Sequence, residues 1–179
     1  MTTGDTGARM ARVSPDTPGD TPAETVTPAL LRGISEDLRA GPLDAPEALK
    51  LVWSGLCLAR LLGLRLGAVD GRWGQRQRNA ESVEHQLARD FGTSATFTGT
   101  ALALPGDGLP RPLAADEVDE ALDALVEFSS TARQRMLATA PRAAQWHDER
   151  VLRHDSLVMG ELGAAWLGNR ASYRVDRSR

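Results

Sequence analysis

The chain has one cysteine, one tyrosine and four tryptophans, and only 4% of it is aromatic. Ile34 is the sole isoleucine and Lys50 the sole lysine among 21 cationic residues. A lone Cys57 has no internal partner for a disulfide, and its apolar neighbours mark it as a small buried hydrophobe rather than a nucleophile. The shortage of isoleucine and aromatic residues removes the usual material of sheets, so a core must be built from Leu, Ala and Val, which suits helices. Positive charge is not in excess: the formal net charge is -3, which argues against nucleic acid as a partner. No apolar run is long enough to span a bilayer, and Arg9 and Arg12 are not followed by an apolar stretch. Neither a membrane partner nor a secretory signal is therefore expected, and the reading places the protein in the cytoplasm. Missing too are the dinucleotide fingerprint, a P-loop, a nucleophile elbow, His-Glu-x-x-His and paired cysteines, so no linear motif names a reaction or a cofactor.

What is present is a helical pattern. Residues 1–26 are rich in Thr, Pro, Gly and Asp and poor in large apolar side chains, the composition of a disordered tail. Thr27-Pro28 opens a short helix through Leu31, Ile34 and Leu38, stopped by Gly41-Pro42. Asp44, with Pro46 and Glu47 behind it, opens a second helix that is apolar on almost every side from Leu49 to Leu66. A helix of that kind is either central in a bundle or shared between two chains. Trp73 to Phe91 carries a thinner line of Ala80, Val83 and Leu87, closed by Gly92. Threonines then alternate through Thr96, Thr98 and Thr100, predicting a short extended or hairpin segment near 93–104, followed by a Pro/Gly loop.

Acids crowd Asp116 to Glu120, ahead of a stripe through Val118, Leu122, Leu125, Ser129, Ala132 and Met136, and Arg133 and Arg135 close that helix. After the break at Pro141, Trp146 to Leu167 makes a last helix ended by Gly168. The expectation is an all-α, four-helix-bundle-like domain over 27–169 with a short N-terminal helix, and a basic tail over 170–179 carrying Arg170, Arg174, Arg177 and Arg179.

The chain has three histidines. Two of them, His147 and His154, lie seven apart, about 10 Å along a helix, whereas two ligands on one helix sit three or four apart. Neither has a carboxylate at three or four positions, so the Glu-x-x-His pattern of di-iron bundles is absent there. Only Glu81 and His85 have ligand-like spacing, with Glu84 beside them. Carboxylate pairs at Glu81/Glu84 and Glu117/Glu120/Asp123 could in principle face each other around magnesium, although the second set already answers a helix dipole.

Two function classes follow. The first is a binding protein, homodimeric through the Leu49–Leu66 helix or the Val118–Met136 stripe, taking a partner protein or a small organic ligand in a pocket lined by Trp53 and Trp146. The second is a small enzyme acting on a hydrophobic molecule with His147, His154 and Asp155 as acid-base groups and Glu81, Glu84 and His85 as ligands of a divalent metal. They separate on convergence, because only the enzyme requires several of these side chains to meet in one cavity.

Overall fold

A computed structural model describes residues 26–106 and 110–169. Among these the chain forms five α-helices and no strand: α1 (Pro28–Arg39), α2 (Ala45–Gly67), α3 (Gly71–Phe91), α4 (Val118–Thr139) and α5 (Trp146–Leu167). The predicted tails, 1–25 and 170–179, lie outside the described residues. Val26, which composition assigns to the tail, belongs to the folded part, since it is buried and its carbonyl accepts a hydrogen bond from Arg65 Nη1 at 2.6 Å.

Local chemistry explains each boundary. Asp44 closes a capping box with Glu47, its carboxylate accepting the Glu47 N–H while Glu47 accepts the Asp44 N–H. Asp70 accepts from the N–H groups of Arg72 and Trp73, starting α3 two residues earlier than the apolar spacing alone suggests. A 3-10 turn at Ala115–Glu117 leads into α4. Gly168, at φ 78, ends α5 in the left-handed conformation. The non-helical segment near 93–104 runs as turns to residue 99 and then as irregular chain. Ser94 organises those turns, donating its hydroxyl to Phe91 O and accepting from Phe97 N, so the alternating threonines belong to a turn cluster rather than a hairpin.

α2 packs on α3 and α4, α5 packs on the same two, and α1 lies against α4 and α2. The result is a four-helix bundle with an extra short helix. Its neighbours are antiparallel: Arg76, early in α3, donates to Trp166 O late in α5, while Asp90 at the end of α3 sits beside His154 in the first half of α5. α3 therefore ends at the opposite end of the bundle from where α4 begins, and the connection between them has to run the full length of α2. Along the way Phe97 packs on Trp53, Pro105 O accepts from Arg60 Nε, and Arg111 O accepts from Arg65 Nε.

This crossover explains why α2 is apolar nearly all round. Leu49, Val52, Leu56, Leu62 and Leu66 face the bundle core, whereas Leu58 and Leu61 are half-buried against it. Close contact with α5 and α4 falls at glycines: a Cβ at Gly63 would meet Trp166 Cζ2 at 2.5 Å, and one at Gly55 would meet Phe128 Cε2 at 2.2 Å. The two faces expected to hold a homodimer together are thus buried inside one chain, since Leu125, Ala132 and Met136 of α4 also lie in the core. No helix among the described residues is long and apolar enough to cross a membrane.

Candidate functional site

The first half of α5 presents Arg150, Val151, His154 and Asp155 along one side, at the i, i+1, i+4, i+5 positions that a helix brings together. Opposite them stand Asp90, in the last turn of α3, and Thr93 in the turn that follows. These six residues line a cavity of about 290 Å³. Asp90, His154 and Asp155 each bring one ligand-type atom within 4.8 Å of the other two, which makes them the one such group of three among the described residues. His154 Nε2 lies 3.7 Å from Asp90 Oδ2, and the His154 side chain is 57% exposed. Arg150 Nη2 donates to Thr93 Oγ1 at 3.0 Å and its guanidinium sits 5.6 Å from the Trp146 ring centroid.

Asp155 is the anomaly. Its relative exposure is 0%, yet neither carboxylate oxygen accepts a hydrogen bond from any protein donor. A buried carboxylate without donors is expensive, and the protein answers by favouring the acid form. Burial pushes the Asp155 carboxyl up to about 8, helped by the negative charge of Asp90 and by the hydrogen bond a protonated Asp155 donates to it, with Arg150 pulling the other way. Asp148, two turns earlier on the same helix, shows what a satisfied position looks like. It too is buried, but its Oδ1 accepts from Thr96 N at 3.0 Å and its Oδ2 from Thr96 Oγ1 at 2.9 Å.

The residues anticipated from sequence are distributed differently. His154 and Asp155 do line one cavity; neighbours in sequence sit about 100° apart on a helix, and Asp90 from α3 fills the angle between them. His147 is outside it, its ring centroid 3.7 Å from that of the exposed Trp146. Trp53 packs edge-on against Phe91 and Phe97, so Trp53 and Trp146 do not share this cavity. Glu81, Glu84 and His85 do not gather as ligands. Glu84 points inward to Arg60, with Nη1 to Oε2 at 2.8 Å, while Glu81 takes the other guanidinium nitrogen at 3.1 Å and leaves His85 outside at 3.7 Å. Of the other carboxylate pairs, Glu117 lies 3.9 Å from Arg65 and Glu120 2.5 Å from Arg32.

Asp90 and Thr93 were not among the residues anticipated from sequence, although a signal for Asp90 existed. The C-terminal turn of a helix carries partial negative charge, so an acid there is unfavourable unless something answers it. Asp155 likewise interrupts an apolar row of Leu152, Met159 and Leu162, all buried. Comparison with protein-family models, with curated proteins and with solved structures finds no match to this chain.

Proposed function

We propose that this is a binding protein that holds a small polar ligand in the cavity between the end of α3 and the first half of α5. Asp155 carries the reading: a fully buried carboxyl with no protein donor, facing a cavity, is the arrangement expected where a ligand completes the hydrogen bonding. Five residues with polar heads line it together with Val151, while carbon atoms form much of its wall, so a compact ligand that carries hydrogen-bonding groups on an apolar frame fits it. All six come from one chain, so the site needs no second copy to complete it, and a homodimer enters the proposal only as an assembly state. The cytoplasm remains the proposed location, on the strength of cysteine usage.

The native mass of untagged protein, compared with its denatured mass, tests this. An excess mass in the wild type that is lost in Val151→Phe, which fills the cavity, is the expected result; equal native and denatured masses overturn it.

One observation favours a second reading, a small enzyme. A carboxyl raised to about 8 beside an exposed imidazole is a proton donor and acceptor pair positioned across a cavity. In that reading Asp155 delivers a proton and His154 removes one. Its mark would be a bound molecule whose mass changes on incubation with the wild type and stays constant with Asp155→Asn.

A further inference from the structure

The donor set at this cavity is specific enough to name an occupant. We propose that Asp90, His154 and Asp155 form a binding site for a divalent first-row transition-metal ion, with the open side of the ion facing the cavity. The inference rests on the ligand-binding reading above and states what the ligand, or its anchoring atom, is.

Three observations converge on it. The ligand atoms come from two helices, and all lie within 4.8 Å of one another. Zinc and its neighbours bind nitrogen and carboxylate oxygen at about 2.0–2.2 Å, so donors around one tetrahedral ion lie about 3.3–3.6 Å apart. His154 Nε2 and Asp90 Oδ2, at 3.7 Å, already stand near that spacing, and the exposed His154 side chain has room to adjust by about an ångström. Asp155 supplies the second, independent observation: both of its oxygens are buried and accept no hydrogen bond from a protein donor, and the residue lines the same cavity. A cation satisfies such oxygens where a protein donor is missing. Finally, one imidazole and two carboxylates make a mixed nitrogen-oxygen set. Calcium takes six to eight oxygens and magnesium a hydrated octahedron, whereas copper(I) prefers sulfur; zinc, manganese(II), iron(II) and cobalt(II) fit.

Three protein donors leave at least one coordination position unfilled. It opens on the cavity, where Arg150 and Thr93 stand, and these two would orient a water or an anionic group bound to the ion.

The test uses chelator-stripped full-length protein titrated with cobalt(II) and, separately, zinc(II), read by visible absorption and calorimetry. The expected result is one equivalent bound, with a cobalt visible band. His154→Ala and Asp155→Asn should each weaken binding tenfold or more, while His85→Ala leaves it unchanged. His154 is exposed, so its alanine variant keeps its fold, which circular dichroism checks. Absence of binding at millimolar metal, or binding lost with His85→Ala and kept with His154→Ala, overturns the proposal. The native mass separates the two readings: an organic adduct without metal sinks the ion and keeps the ligand site, whereas neither adduct nor metal binding sinks both.

Discussion

Glu84 and Asp155 are both completely buried and both pushed toward the acid form, but the chain treats them in opposite ways. Glu84 on α3 faces Arg60 of α2, which gives Nη1 to Glu84, Nη2 to Glu81 and Nε to the carbonyl of Pro105. Burial pushes Glu84 up to about 7 against the pull of Arg60. Burial also opposes the Arg60 charge, yet the two carboxylates more than offset it and hold the guanidinium charged. Asp155, on α5 beside the last turn of α3, has another acid as its partner and lines a cavity. The first cluster is closed: its donors are nearly matched, and it pins the α3–α4 crossover onto α2. The second is open, with acceptors in excess and solvent access through His154. Burial and a raised pKa therefore do not by themselves mark a site; what distinguishes the two is whether the fold has supplied a counter-charge.

The largest effect is expected at the closed cluster. Arg60→Met leaves Glu84 buried without its cation and should cost about 3–5 kcal/mol of stability in urea denaturation at pH 8, with much of it recovered in the Arg60→Met/Glu84→Leu double variant. A loss shared equally by single and double variants would show that the crossover contact to Pro105, not the charge pair, dominates.

At the open cluster the effect is a pH dependence. The folded pKa of Asp155, about 8, lies above its ordinary value of 3.8, so the folded chain keeps a proton that the unfolded chain releases. Its contribution to stability is fully present below about pH 4 and is lost as pH rises through 8, at a slope of at most about 1.4 kcal/mol per pH unit. Glu84 has the same sign. In metal-free protein Asp155→Asn should remove its share, so that the variant gains on the wild type steadily from pH 4 to 8; parallel curves would refute the shift.

Smaller changes sharpen the contrast. Gly106 on the crossover has φ 138, and a Cβ there would meet Leu64 Cδ1 at 2.9 Å. Gly106→Ala should destabilise the chain by roughly 1 kcal/mol through strain where Arg60 holds the crossover, detected as a lower melting temperature. The smallest effect belongs to Arg150→Gln. Loss of the positive charge that lowers the Asp155 pKa should raise it further by a fraction of a unit, read from the carboxyl carbon in an NMR titration, with no measurable change in fold.

Much of the bundle was legible in advance, because helix boundaries are local. Asp44 with Glu47, Pro28 after Thr27, and Gly168 after Leu167 act within one turn of themselves, and the core stripe of α4 repeats at helical spacing. The threonine segment misled because alternation is also what a run of hydroxyl-capped turns looks like, and only Ser94, by bonding Phe91 and Phe97, tells them apart. The site was half legible. His154 and Asp155 are chemically conspicuous, whereas Asp90 lies sixty-odd residues away and reads as an ordinary surface acid. Glu81, Glu84 and His85 have ligand spacing, but a cation on another helix, Arg60, had already taken the carboxylates.

The sequence by itself determined that the chain is helical, where four of the five helices start and stop, and that α2 has to be wrapped on nearly every side; these follow from caps, breakers and apolar period, which act over a few residues. Tertiary structure alone decided that the wrapping comes from the chain's own crossover, that Glu84 meets a cation while Asp155 meets Asp90, and that a cavity opens beside the second. Those outcomes depend on which side chains antiparallel helices bring face to face, and electrostatic pairing falls off within a few ångströms, so a single residue of register separates a closed ion cluster from an open site.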